Sequence, residues 1–324
     1  MDTLGNRLRD GDRRALGRAI TLVESTRADH RRDAVALLES VLPDTGQAYR
    51  LGISGPPGVG KSTFIDAFGQ HVIDAGHRLA VLAVDPSSGR SGGSILGDKT
   101  RMEELAKRPE VFIRPSPAGR SLGGVARRTR EAMLLCEAAG YDVVLVETVG
   151  VGQSETTVAE MVDLFCLLAG PGGGDDLQGV KRGVMELAEL VVVTKADGDL
   201  VPAANRAVSD LRHALHLMRP LHPEWTTPVV STSAMTGDGL DEVWATVVEH
   251  RRVLEASGAL DGLRARQRQQ WLERELHDGV IEHVLGPHQA EVDAAARAVA
   301  TGDQMPPVVA EQLLRSLLDP GDHA

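Results

Sequence analysis

Aromatic residues are scarce. Four Phe, three Trp and two Tyr make up 3% of 324 residues, so the core has to rest on Leu, Val, Ile and Ala. Cysteine is scarcer still: Cys136 and Cys166 both fall in apolar runs, and no CxxC pair exists. That pattern argues against a cysteine-based metal clip and for two buried thiols in a reducing compartment. No apolar run approaches the ~20 residues needed to cross a bilayer. The amino-terminal stretch MDTLGNRLRDGDRRALGRAI is charged and has no apolar signal core, so the expected location is the cytoplasm. Positive charge is in deficit: 35 Lys and Arg stand against 46 Asp and Glu, a formal net charge of -11. Such a balance argues against an electrostatic grip on nucleic acid or anionic lipid.

What is present is an ordinary globular composition, 42% hydrophobic and 25% charged, long enough for one sizeable core with appendages. Residues 1–46 read as a helical, arginine-rich extension. Leu16, Ile20 and Val23 form one apolar line at helical spacing, and Val35, Leu38 and Leu42 a second, before Pro43, Asp44 and Gly46 break the pattern. From Arg50 short apolar runs alternate with helical segments. Strands are expected at 51–54, 79–85, 111–114, 141–147, 162–169, 190–197 and 227–234, with helices at 61–75, 121–139 and 200–217. Most of the strand runs are apolar on consecutive residues, as a parallel sheet covered on both faces requires. The expected fold is therefore α/β, an open, mostly parallel, doubly wound sheet over 47–257, with ligands at the carboxyl ends of its strands. The arginine-rich run at 114–130 reads as a solvated helix face with local salt bridges. Residues 258–324 read as a purely helical carboxyl-terminal arm. Leu272, Leu276, Val280 and Val284 recur every fourth residue before Gly286 and Pro287, and further helices are expected at 289–300 and near 307–318. This single apolar stripe needs a surface to pack on, either the chain's own core or a second subunit.

The chemistry begins at GPPGVGKST, Gly55 to Thr63, which satisfies GxxxxGK[ST] between an apolar strand and a helix start. Gly58 and Gly60 let backbone N–H groups around Val59 turn inward on phosphate oxygens, and the helix start adds positive potential. Lys61 is placed to reach the β- and γ-phosphates, Ser62 to ligate Mg²⁺, and Thr63 completes the cradle. Asp85 ends the next strand, where it can hold Mg²⁺ through water or orient the attacking water. The Ser- and Gly-rich loop after it contains Asp98, a candidate metal-side ligand, and has the character of a switch. Glu147 ends the strand YDVVLVE with Gly150 three residues on, where a backbone N–H can meet the γ-phosphate; Gln153 reads as a solvated loop residue. Most Ras-type GTPases carry Asp where this chain has Glu147.

Thr194, Lys195 and Asp197 stand where an [NT]KxD element would be, and Asp197 can accept both N1–H and N2–H₂ of guanine, which adenine cannot offer. Ser233, Ala234 and Met235 resemble the element that backs the base. Together they favour GTP over ATP. The loop AGPGGGDDLQGVKRG at 169–183 is either a plain flexible loop or a third switch, in which Asp175, Asp176 and Lys181 trade partners; Lys181 can supply positive charge near the phosphates. The pair His213 and His216 lacks a third ligand and reads as a surface pair.

The stretches AVDPSSGRSGGSILGDKTRM, VETVGVGQSE and LAGPGGGDDLQGVKRG resemble the methylmalonyl-CoA mutase-associated GTPases, the MeaB/ArgK family, and ALGRAITLVES extends the likeness to the amino-terminal region. The resemblance implies a SIMIBI-class P-loop GTPase, homodimeric through its carboxyl-terminal arm. Such proteins act as chaperones for an adenosylcobalamin-dependent acyl-CoA mutase, gating cofactor loading and protecting the mutase from inactivation. Carried onto this chain, Lys61, Ser62, Asp85, Asp98 and Glu147 surround phosphate and Mg²⁺, and Thr194, Lys195 and Asp197 read guanine. A nickel-insertion metallochaperone GTPase is the alternative within the class, but the chain has no His-rich tract or Cys/His pair near a switch. A small-molecule kinase would need an acceptor-binding lid, and none is evident. A pure interaction module timed by slow hydrolysis shades into the chaperone reading.

Overall fold

The computed structural model describes residues 3–84, 102–115, 122–148, 154–172, 182–302 and 304–318. The chain divides into two compact units, residues 1–267 and 268–324. All seven expected strands form: β1 (Tyr49–Ser54), β2 (Leu79–Val84), β3 (Val111–Arg114), β4 (Val143–Thr148), β5 (Leu164–Ala169), β6 (Leu190–Val193) and β7 (Val229–Ser231). They make one sheet in the order β3-β2-β4-β1-β5-β6-β7, with every pair parallel. β1 therefore lies between β4 and β5, and the chain crosses over on either side of it. That switch point is where an open α/β sheet forms its ligand crevice.

The last two strands are shorter than their expected runs. β6 stops at Val193, so Thr194–Asp197 leave the ladder, and β7 stops at Ser231, before Ser233–Met235. The residues expected to touch a ligand are thus loops projecting from the carboxyl edge.

In the first unit, α1 (Thr3–Arg9), α2 (Arg13–Glu24) and α3 (Ala28–Val41) lie beside α6 (Leu122–Ala138) in one core with a face of β2 and β4. Asp12 caps α2 by accepting from Arg14 N (2.8 Å) and Ala15 N (3.1 Å). Leu16, Ile20 and Val23 are buried as expected. The second expected line is displaced by one position: Val35 and Leu42 are exposed, and α3 buries Ala34, Leu37 and Val41 instead. The sequence offers two apolar stripes one residue apart, and packing against α2 and α6 selects the one with the smaller lead residue. The arginine-rich run is likewise not a solvated face. Arg130 and Glu131 of α6 are buried, Glu131 pairs with Arg31 of α3, and Arg114 pairs with Glu24 of α2. The helical layer from the amino-terminal segment covers what would otherwise be the wet side of α6.

The opposite face of the sheet carries α4 (Lys61–Asp74), α5 (Glu103–Ala106) and α10 (Leu240–Ser257). Phe64 and Phe68 of α4 stack there at 5.4 Å between centroids. α7 (Ser154–Ala159), α8 (Arg182–Met185) and α9 (Val201–His216) complete the connections. Cys136 and Cys166 are both free and buried, and burial pushes both thiols well up from their ordinary range.

Polar groups tie the helices to the amino edge of the sheet. Arg264, in the first turns of α11 (Ala259–Leu285), donates from Nε to Asp163 Oδ1 (2.8 Å) and from Nη2 to Asp163 Oδ2 (2.6 Å). The same guanidinium donates to Gly46 O (2.6 Å) and Ala48 O (2.7 Å), while Asp163, fully buried, also accepts from Arg50 N (2.8 Å). Beside it, buried Glu189 meets His250 Nε2 (3.2 Å) and His222 Nε2 (3.3 Å), and His250 Nδ1 bonds the Tyr49 hydroxyl.

In the second unit α11 continues to Leu285 and is followed by α12 (Gln289–Ala300) and α13 (Pro306–Leu318). Leu272, Leu276 and Val280 are exposed. Among the described residues no helix is long and apolar enough to cross a membrane.

Removing Arg264 strands a fully buried carboxylate. Arg264→Ala is expected to cost about 3–5 kcal/mol of unfolding free energy, read by urea denaturation of the whole chain. A loss below about 1 kcal/mol, the range of exposed pairs, would contradict this reading.

Candidate functional site

The loop between β1 and α4 is shaped by close approach and by left-handed backbone. A Cβ at Gly55 would come within 2.7 Å of Leu168 O, and Gly58 and Gly60 have φ of +77° and +98°. Those conformations suit only glycine at low cost, and they turn successive N–H groups toward one centre. Gly60 also caps α4, so a helix amino terminus faces the same point. Lys61 Nζ folds back to donate to Gly55 O (2.6 Å) and Pro56 O (3.3 Å). Burial pushes the Lys61 ammonium down from its ordinary pKa, while Glu147 and Glu155 push it up.

Two stretches distant in sequence, 194–197 and 233–235, close on this loop. The Thr194 hydroxyl is buried and donates to Val59 O (2.6 Å), with Ala169 O at 3.3 Å. Its proton is engaged with backbone, so Thr194 ties β6 to the phosphate loop rather than presenting a free donor. Lys195 has φ +58°, a left-handed conformation unusual for a side-chain-bearing residue. Its Nζ donates to Gly58 O (2.7 Å), and its Cε lies 3.7 Å from where a Gly60 Cβ would be. The lysine stem therefore lies over the loop as a flat apolar strip. Asp197 Oδ2 accepts from Ser233 Oγ (2.5 Å), which in turn accepts from Met235 N and Thr236 N, each at 3.2 Å. A cavity of about 190 Å³ results, bounded by Val59, Gly60, Thr63, Thr194, Lys195, Asp197, Ala234 and Met235 among others. Met235 is exposed at its rim. Such a slot has one carboxylate at its end and apolar walls, and it can take a planar base bearing adjacent N–H donors.

At the phosphate end, Glu147 is buried at the end of β4, in register with Ile53 of β1 and Ala83 of β2. Thr148 Oγ1 donates to Ser54 Oγ (2.8 Å), joining the ends of β4 and β1. Ser62 and Glu147 offer oxygen donors only, the set a hard cation such as Mg²⁺ takes, so the residues present fit that ion. Asp85, Asp98, Gly150, Gln153, Asp175, Asp176 and Lys181 lie outside the described residues. Sequence reasoning missed Glu155 and the Ser54–Thr148 bond; a Ser and a Thr closing otherwise apolar strands were the available signal.

A larger cavity, about 490 Å³, is bounded by residues of α9 and the 218–229 segment and shares no residue with this site. It has no phosphate loop, so size alone does not mark the chemistry. His213 and His216 are exposed, and among the described residues no group of three or more His, Cys, Asp or Glu is arranged to hold a metal ion.

The family model described as "Methylmalonyl Co-A mutase-associated GTPase MeaB" matches residues 16–289. The chain belongs to this family. It is a P-loop GTPase by that membership, and its relatives carry matching names. A "Putative GTPase" of Caulobacter vibrioides is 61% identical over 84% of this chain and 83% of its own length. The "Methylmalonic aciduria type A homolog, mitochondrial" of Mus musculus is 46% identical over 98% of this chain and 79% of its own. Among solved structures, one titled "Crystal structure of LAO/AO transport system kinase" superposes with a TM-score of 0.77 at 39% identity, covering 97% of this chain and 96% of that one. In this MeaB-family GTPase, the phosphate loop, the 194–197 turn and the 233–235 turn converge on one edge of the sheet.

Thr194→Val removes the tie to Val59 O while keeping shape. Nucleotide affinity is expected to fall about five- to twentyfold, the worth of one or two buried hydrogen bonds, in a titration with labelled GDP. An unchanged affinity would mean that the loop holds its shape without β6.

Proposed function

We propose that the protein is a GTP-hydrolysing chaperone for an adenosylcobalamin-dependent acyl-CoA mutase, gating cofactor loading and protecting the mutase from inactivation. The observation that carries this reading is family membership over residues 16–289, joined to a phosphate loop and a carboxylate-ended base slot on the same sheet edge. Names of relatives that speak of the mutase or of methylmalonic aciduria support the choice of client.

In this reading Asp197 accepts N1–H and N2–H₂ of guanine, held at its angle by Ser233, while Lys195 and Met235 flank the ring. Backbone N–H groups from Gly55 to Thr63, with Lys61, hold the phosphates. Ser62, Asp85, Asp98 and Glu147 are the residues that would hold Mg²⁺, which when bound neutralises phosphate charge. Gly150 meets the γ-phosphate by its N–H, and Lys181 brings positive charge from the 169–183 loop. Hydrolysis then alters the segments after β2 and β5, which a partner can read. The exposed stripe Leu272, Leu276 and Val280 pairs two copies into a homodimer. The expected setting is the cytoplasm.

Two measurements test this. Asp197→Asn replaces an acceptor by a donor where guanine offers N2–H₂ and xanthine offers a carbonyl. GTP binding is expected to weaken by about a hundredfold or more, with XTP becoming the better ligand; equal loss of both would contradict base reading by Asp197. For the client, GTP turnover is measured with and without an adenosylcobalamin-dependent acyl-CoA mutase. Acceleration on the order of tenfold is expected, and no acceleration would count against a coupled chaperone.

A further inference from the structure

The Thr148 hydroxyl donates to Ser54 Oγ at 2.8 Å, and both residues are buried, at 0% and 1% exposure. Replacing both partners of such a bond by apolar groups of the same shape is close to neutral for stability. Stability alone therefore does not call for two hydroxyls here.

Their place in the sheet does. β1 and β4 pair in register from Tyr49 with Val143 to Ile53 with Glu147. Ser54 and Thr148 are the next residues on each strand, so the hydroxyl bond carries the pairing one step past that last register pair. Side chains alternate across a sheet, so Ser54 and Thr148 point away from the face of Ile53 and Glu147. Ile53 packs in the core under α4, whereas Val146, on the face of Thr148, packs in the core with α6 and α7. The clasp thus lies behind the phosphate loop and acts on the site through the backbones of β1 and β4.

The border between β1 and β4 also divides the site in two. The phosphate loop is tied to the strands on one side of it. A Cβ at Gly55 would come within 2.7 Å of Leu168 O of β5, Val59 O accepts from Thr194, and Gly58 O accepts from Lys195. Asp197 and Ser233 bond each other on that side as well. Glu147 stands on the other side, in β4, whose Thr148 is in register with Val84 of β2. The Ser54–Thr148 bond bridges the two halves where both strands end.

We propose that Ser54 and Thr148 are positioning residues for hydrolysis: their bond fixes the spacing between the phosphate loop and Glu147, and so sets turnover without adding to the hold on nucleotide. When the clasp is cut, the loop and the base slot keep the ties just named, while Glu147 loses its fixed distance to the loop. An error on the order of 1 Å in such a spacing lowers a rate strongly. This inference rests on the reading of Glu147 as part of the phosphate and Mg²⁺ site.

The test measures GTP turnover and GDP affinity of the full chain in wild type, S54A, T148V, S54A/T148V and T148S. T148V is expected to lower kcat about tenfold while GDP affinity stays within about twofold. S54A/T148V is expected to be no slower than T148V, because both cut the same bond. T148S keeps the hydroxyl and retains most of the wild-type kcat. An unchanged kcat in T148V overturns the proposal. So does a loss of GDP affinity as large as the loss of kcat, the result of a general loosening of the fold. T148S as slow as T148V assigns the effect to the threonine methyl and overturns it too. If T148V does not fold, S54A, which deletes only the acceptor oxygen, carries the same expectation. E147Q separates this inference from the reading beneath it. Wild-type turnover in E147Q overturns that reading, whereas slow E147Q beside an unaffected T148V overturns this inference alone.

Discussion

The sheet is dry on both faces, and the rest of the molecule is arranged around that constraint. With β2 and β6 made wholly of buried Val, Leu and Ala, and β4 and β5 buried along their whole length, polar side chains gather where the strands end. The carboxyl edge concentrates Ser54, Glu147, Thr148 and Thr194, each buried and facing the phosphate loop or its neighbours. Strong hydrogen bonds in a low-dielectric setting give that loop a defined shape. Thr194 and Lys195 reach across from β6 to the carbonyls of Val59 and Gly58, so the cradle for phosphate and the slot for the base are built as one piece.

The amino edge carries a different kind of polarity. There Asp163 and Arg264, with Arg50 and the carbonyls of Gly46 and Ala48, form a closed set in which the Asp163 carboxylate is paired at both oxygens. Glu189, His222, His250 and Tyr49 form another. These sets lock α10 and the first turns of α11 to the sheet. A base held this firmly leaves the loops of the opposite edge as the elements free to respond to a ligand.

Much of this was legible in the sequence because the physics is local. Runs of consecutive apolar residues located most of the strands, and the glycine spacing at 55–60 located the phosphate loop, since only glycine adopts the backbone found at Gly58 and Gly60 at low cost. What was not legible depends on tertiary packing. Val35, Leu38 and Leu42 are as well spaced for a core stripe as Ala34, Leu37 and Val41, and only the presence of α2 and α6 chooses between them. The arginines of α6 look solvated in isolation because nothing in their own segment announces the cover supplied by α2 and α3. Thr194 read as a base contact because its motif places it there, whereas its hydroxyl is spent on Val59 O.

The central claim is that one edge of the sheet unites a phosphate cradle with a guanine-reading slot. Calorimetric titration of the wild-type protein with GDP and with ADP tests it most directly, because the two share the diphosphate and differ in the base. Tight binding of GDP with ADP weaker by at least about a hundredfold is the predicted result. Equal affinity for the two would mean that the loop alone binds the ligand and that Asp197 and its supports do not read the base.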